Sequence, residues 1–316
     1  MAKRKRNAGN QDSVPRKAIK PSADAETSSS LPSNAITIQI VTGSYERVLH
    51  GITATITRST TEKLSPESVE FADSFLFHAH ASAIRCLALS PISSADGAPS
   101  QSIVLASGST DERVNLYNLS IAPPVVNEKF PSVPTLAGNK VLENPKNREL
   151  GSLMHHSSTI TALCFPTRSK LLAASEDNTI SIIKTRDWSV ISTIKAPRPK
   201  VQGRPSGDTA PPGAAPAGIN DFAVHPSMKL MLTVGRGEKC MRLWNLVTGK
   251  KAGVLNFTRE ILESVKEGKW SSGEGRKISW DSRGEEYAVA FERGVVVFGI
   301  VSAPLCISPA ARIDFG

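Results

Sequence analysis

The stretch Ile103-Val-Leu-Ala-Ser-Gly-Ser-Thr-Asp111-Glu-Arg-Val-Asn-Leu-Tyr117 decides the fold. Two short apolar alternations flank a polar tight turn that carries an acid, the pattern of two antiparallel strands joined by a hairpin. Just upstream, Ile84-Arg-Cys-Leu-Ala-Leu-Ser-Pro91 reads as another strand, closed by a proline turn. The unit then recurs. Ile160 to Pro166, followed by Leu171-Leu-Ala-Ala-Ser-Glu-Asp177 and on to Ile183, is a second copy. Ile219 to Pro226, followed by Leu230 to Trp244 with Glu238 in the turn, is a third. A degraded fourth runs through Ile278-Ser-Trp280, Tyr287 to Phe291 and Val295 to Ile300. The copies start at Ile84, Ile160, Ile219 and Ile278, which are 76, 59 and 59 residues apart. Strand hairpins repeated without interleaved helices predict an all-β array.

A unit of this kind needs only about 40–45 residues. The excess lies in insertions at 121–148 and 195–218, the second with six Pro and four Gly in 24 residues. Such composition breaks strands and helices alike and predicts surface loops. One short helix is expected over Thr258 to Lys266, where Phe257, Ile261 and Val265 share a face and Gly268 is placed to end it. Residues 1–34 have little to bury and read as a disordered basic arm. The repeats occupy 35–301, and 302–316 reads as an irregular tail.

Composition excludes several classes. The chain has 316 residues, 40% of them hydrophobic, but no apolar run of the roughly 18 residues a membrane helix needs. The first residues, MAKRKRNAGNQD, lack the apolar stretch of a secretory signal. Cys86, Cys164, Cys240 and Cys306 are 78, 76 and 66 residues apart, which suits neither a zinc site nor a disulfide framework. The net charge of +9 favours acidic or nucleic-acid partners.

The acid and the residue six places on keep a fixed spacing, in Asp111–Tyr117, Asp177–Ile183 and Glu238–Trp244. A histidine precedes the first strand in two copies, His80 before Ile84 and His156 before Ile160. This resembles the WD repeat, in which His, Ser or Thr, Asp and Trp tie the strands of one propeller blade through a buried hydrogen-bond chain. The first copy comes closest, with His80, Ser107 and Asp111, and Tyr117 in the Trp place. The second has Ala173 and Ile183 where Ser and Trp would stand, and the third has Pro-rich sequence where the His would stand. With an irregular unit over 36–77, about five blades of a WD40-type β-propeller are recognisable.

Over roughly 36–300 the chain also resembles one branch of WD-repeat proteins, the maintenance-of-killer / PAK-interacting protein family of large-subunit ribosome assembly. The resemblance rests on Val41-Thr-Gly-Ser-Tyr-Glu46, Val48-Leu-His-Gly51, His78-Ala-His80, Gly108-Ser-Thr-Asp-Glu112 and His155-His-Ser-Ser-Thr-Ile-Thr161. It continues in Glu176-Asp177, His225-Pro-Ser, Leu243-Trp-Asn-Leu-Val-Thr-Gly249 and Gly284-Glu-Glu-Tyr287. It implies a seven-bladed ring, so that this chain reads as a C-terminally truncated form. It also implies a non-catalytic scaffold without cofactors in the nucleus and nucleolus. The implied work is maturation of the large-subunit precursor and rRNA processing. Implied partners are pre-large-subunit assembly factors and ribosomal-like proteins, rRNA through the basic arm, or, as an alternative, a PAK-type kinase under negative regulation; no membrane is implied.

Sharper chemistries compete with this reading. Ser107, His80 and Asp111 assemble a hydrolase triad on paper, but the His and Asp already have a structural use and no G-x-S-x-G elbow exists. His78 and His80 suggest a metal pair, but no carboxylate or cysteine ligand stands at matching spacing. Gly273-Glu-Gly275-Arg-Lys277 lacks the spacing of a phosphate loop. Lys3, Arg4, Lys5 and Arg6, then Arg16, Lys17 and Lys20, read as a bipartite nuclear import signal.

Overall fold

The computed structural model describes residues 35–57, 68–92, 102–121, 144–198, 218–268 and 271–300. The basic arm, most of both insertions and the tail lie outside the described residues. The rest is almost wholly strand, arranged as five antiparallel sheets in chain order.

The first sheet holds β1 (Ala35–Gly43), β2 (Val48–Thr57) and β3 (Ser68–His78). The second holds β4 (Ile84–Leu89), β5 (Ser102–Ser109), β6 (Val114–Ser120) and β7 (Arg148–Leu153). The third holds β8 (Ile160–Thr167), β9 (Lys170–Ser175), β10 (Thr179–Lys184) and β11 (Val190–Lys195). The fourth holds β12 (Ile219–Val224), β13 (Leu230–Gly235), β14 (Cys240–Asn245) and β15 (Lys250–Asn256). The fifth holds β16 (Lys277–Trp280), β17 (Glu286–Ala290) and β18 (Val295–Gly299). The units read from the sequence are therefore five sheets, with the up-and-down strand order of propeller blades. Among the described residues no ladder joins the first sheet to the fifth.

Each core fills the gap between two consecutive sheets. Leu49 and Phe75 of the first sheet meet Leu105 and Tyr117 of the second. Leu116 and Val114 meet Ile160 and Leu171, and Leu172 and Ile180 meet Met231 and Trp244. Small residues let the sheets approach. A Cβ on Gly108 would stand 2.6 Å from Ile160 Cγ2 and 2.7 Å from Cys86 Sγ, so a side chain there would push the second and third sheets apart. Between the fourth and fifth sheets lies α1 (Arg259–Ser264), capped by Thr258 Oγ1, which accepts from Ile261 N. Phe257, Ile261 and Val265 face the core as their spacing predicts. The helix ends earlier than Gly268: Lys266 itself takes φ 59°, and its N–H bonds Glu263 O.

The first sheet departs from the others. Ile160 opens β8 beside Gly108 and Cys86, and Ile278 near the start of β16 donates to Asp221 in β12, so these first strands run in one sense. Gly43, the last residue of β1, instead lies against Ile84, the first of β4. β1 thus runs opposite to the first strands of the other sheets and matches their second strands. Among the described residues the irregular unit is a sheet without the innermost strand. Its face away from the second sheet carries Ile36, Ile38 and Ile40, with Val69 and Phe71 in the same cross-strand rows, all exposed.

Candidate functional site

The polar chemistry of the sequence gathers at the blade turns. His80 lies in the loop between β3 and β4 with its side chain fully buried. Its Nδ1 faces Asp111 Oδ2 at 3.1 Å and its Nε2 faces Ser107 Oγ at 2.8 Å. Asp111 also accepts from Ala81 N at 3.0 Å and Arg113 N at 3.1 Å. Burial opposes the Asp111 charge, yet the Arg113 amide, His80 and the Ala81 amide outweigh it and hold the carboxyl below the usual range. Tyr117 fills the Trp place as a packed ring, edge-on to Phe77 at 5.4 Å. Asn115, not singled out from the sequence, extends the chain: its Nδ2 donates to Ala79 O, and its Oδ1 accepts from Ser152 Oγ, each at 2.5 Å.

The third sheet corrects the sequence reading. Ala173 removes the expected hydroxyl, but Ser181 restores it from the neighbouring strand, with its Oγ 2.5 Å from His156 Nε2. The register explains the substitution, because Ser181 pairs directly with Ala173. His156 Nδ1 lies 3.1 Å from Asp177 Oδ2. Asp177 further accepts from Thr179 N at 2.8 Å, Thr179 Oγ1 at 2.5 Å and Ser157 N at 3.3 Å. Burial again opposes the charge, but the His156 and Thr179 bonds prevail and bring the carboxyl down to about 2.

The fourth sheet solves the same problem without histidine. Glu238 stands at the acid position and forms a bidentate pair with Arg242, whose Nη2 lies 2.6 Å from Glu238 Oε1. Both side chains are about nine-tenths buried. Arg242 pairs in the ladder with Thr233. Thr233 Oγ1 accepts from Trp244 Nε1 at 2.9 Å, so the Trp–Thr half of the tetrad is present here. In the fifth sheet the turn acid comes from outside the blade. Glu267, just past α1, accepts from Glu292 N at 3.0 Å and Arg293 N at 3.2 Å.

The rival chemistries fail on placement. His80 has both ring nitrogens engaged and no exposed surface, so its group with Ser107 and Asp111 ties strands together and offers no nucleophile. His78 is exposed at the end of β3, away from the buried His80 ring. Among the described residues no three His, Cys, Asp or Glu side chains cluster to hold a metal. Cys86 behaves as a packed group, its thiol pushed up to about 12 by burial. The import-signal residues Lys3, Arg4, Lys5, Arg6, Arg16, Lys17 and Lys20 lie outside the described residues.

Buried acids at the turns and paired strands define the class: a WD-repeat β-propeller chain whose polar side chains hold blades. Comparison with known proteins agrees. The WD domain, G-beta repeat family matches at residues 73–118 and 147–184. Shk1 kinase-binding protein 15 of Schizosaccharomyces pombe is 30% identical over 232 residues, covering 72% of this chain and 49% of that protein. Protein MAK11 of Saccharomyces cerevisiae is 27% identical over 282 residues, covering 84% and 52%. A p21-activated protein kinase-interacting protein 1-like protein of Danio rerio is 24% identical over 270 residues, covering 85% and 52%. The chain belongs to this WD-repeat family of MAK11 and PAK-interacting proteins, and it spans about half the length of these relatives.

Proposed function

We propose that the chain is a non-catalytic WD-repeat scaffold in ribosome biogenesis, serving assembly of the large-subunit precursor and rRNA processing in the nucleolus. One observation carries the scaffold half. Every histidine–acid pair that looks reactive in the sequence repeats is committed to cross-linking strands, which leaves exposed turns to do the work, and exposed turns bind. The ribosomal half is supported by kinship with MAK11 and by the ordered motifs from Gly43-Ser-Tyr-Glu46 to Trp244-Asn-Leu-Val247. In this reading the propeller docks assembly factors and ribosomal-like proteins, and the arm 1–34 enters the nucleus and touches rRNA.

Density-gradient sedimentation of the tagged chain tests the proposal: it co-migrates with large-subunit precursors, and its depletion leaves precursor rRNA unprocessed. Migration only with free protein overturns the reading. Changing Lys3, Arg4, Lys5 and Arg6 to Ala moves a fluorescent fusion out of the nucleus, and a variant that still reaches the nucleolus removes the arm from the import role. A second reading is negative regulation of a PAK-type kinase, favoured by the names of the kinase-binding and kinase-interacting relatives. It predicts that the chain co-purifies with such a kinase and not with precursor particles.

A further inference from the structure

The two rims of the third and fourth sheets differ in charge. One rim gathers the loops that precede each first strand and the turns that follow each second strand. For these two sheets they are residues 154–159, 175–179, 195–198, 218, 235–240 and 256–268, with six basic and six acidic side chains. The two signs balance there, and three ion pairs form: Arg236 with Glu176 at 3.1 Å, Arg259 with Glu263 at 2.6 Å, and Glu238 with Arg242. The other rim gathers the turns after the first and third strands, residues 166–170, 184–190, 225–230 and 245–251. It carries seven basic side chains and one acid, Asp187. All seven are exposed, and the single ion pair among them is Lys184–Asp187 at 3.8 Å.

This rim also works against its own sheet. Lys184 and Lys170 are direct cross-strand partners, a like-charge pair that costs stability. Its turns are rigid. Asn245 Oδ1 accepts from Val247 N at 2.9 Å and Thr248 N at 3.1 Å. Leu246 N donates to Lys229 O at 2.8 Å, which fixes the turns of the fourth sheet side by side. Held this way, Val247 is 76% exposed and Met228 43% exposed, both among lysines.

We propose that this rim is a docking surface for an acidic protein segment that carries aliphatic side chains. The unneutralised cations call for a polyanion, and the exposed groups between them select its kind. Grooves for single-stranded nucleic acid interleave cations with exposed aromatic platforms. Here the aromatic, Trp188, packs into the core between the second and third sheets, and the exposed apolar groups are Val190, Met228 and Val247. Those suit Leu, Ile or Val on a partner chain, with Lys170, Lys229 and Lys250 meeting its carboxylates. The inference goes beyond the proposed function and holds for either reading of it.

The test uses the full chain and a fluorescein-labelled peptide of repeated Glu-Glu-Leu units, read by anisotropy at two salt concentrations. The triple variant Lys170→Glu, Lys229→Glu, Lys250→Glu binds at least about tenfold more weakly and loses most of its salt dependence. The opposite-rim variant Lys195→Glu, Lys239→Glu, Lys266→Glu has the same net charge and stays within about twofold of the parent. Val247→Ser weakens the Glu-Glu-Leu peptide and leaves an all-Glu peptide unchanged. Lys170→Glu alone raises the melting temperature by about a degree or two, because it relieves the clash with Lys184. Equal losses in the two triple variants overturn the proposal by assigning the attraction to overall charge. Tighter binding of a single-stranded RNA, lost in the same rim variant, overturns the choice of a protein partner. An unchanged response to Val247→Ser overturns the aliphatic contact.

Discussion

The second and third sheets start from the same pair, a buried acid in a turn and a histidine ahead of the first strand, and reach a hydroxyl by different routes. In the second sheet the hydroxyl is Ser107 on β5. In the third it is Ser181 on β10, opposite the alanine that replaces the expected serine. Directly paired residues of an antiparallel ladder lie about 5 Å apart, so a group can cross to the next strand and still reach the same ring nitrogen. The fourth sheet extends the comparison. Its ladder pair Thr233–Arg242 occupies the register of Ser107–Asn115 and Ala173–Ser181. There the arginine replaces the histidine as partner of the acid. What recurs is a satisfied acid at one point in space, and the slots that satisfy it vary.

The largest expected effect breaks the fourth sheet. Glu238→Ala strands a buried guanidinium and should cost about 3–5 kcal/mol, read as a fall in the urea midpoint at unchanged slope. Adding Arg242→Met should recover most of that loss. A small effect of the single change would show that Arg242 turns to solvent.

Next is the acid of the third sheet. Asp177 accepts from four groups and Asp111 from three. Asp177→Ala should therefore cost more than Asp111→Ala, by about 1 kcal/mol. Because the Asp177 carboxyl is held at about 2 against an ordinary 3.8, its contribution is fully present above about pH 4. It is lost as pH falls through about 2, and it amounts to about 2 kcal/mol. Acid titration of stability should show this loss in the parent, and Asp177→Asn should flatten it.

The smallest effect sharpens the strand exchange itself. Ser181→Ala should cost about 1 kcal/mol, and Ala173→Ser in that background should return part of it by rebuilding the arrangement of the second sheet. Absence of any recovery in thermal melts would mean that His156 cannot turn to the other strand.

The strands were legible because alternation and turn residues are local signals, and all four copies lie where the pattern places them. Asp111, His80 and Ser107 were legible because spacing brings them together. Ser181, Arg242 and Glu267 were not, because each replaces a partner from outside the expected slot. Only the ladder register, or the path of α1, reveals that they converge. A usable signal did exist for Arg242, a basic residue in a strand whose neighbours are apolar, four places after a turn acid. The direction of β1 was also hidden, since the alternation of the three described strands reads the same whether or not an innermost strand stands beside them.

The segment around α1 bears on how the molecule opens. It supplies Phe257, Ile261 and Val265 to the packing between the fourth and fifth sheets, sets Phe257 against Phe291 at 4.8 Å, and sends Glu267 to the turn at 292–293. In terms of hydrogen exchange, the fifth sheet is then expected to have no opening of its own. Releasing β17 and β18 breaks the contacts of the helix face and of Glu267 together, so amides from Phe257 to Glu267 and from Tyr287 to Phe298 should exchange as one cooperative unit. The connection between β15 and β16 is thereby the clasp that sets how much of the chain opens at once.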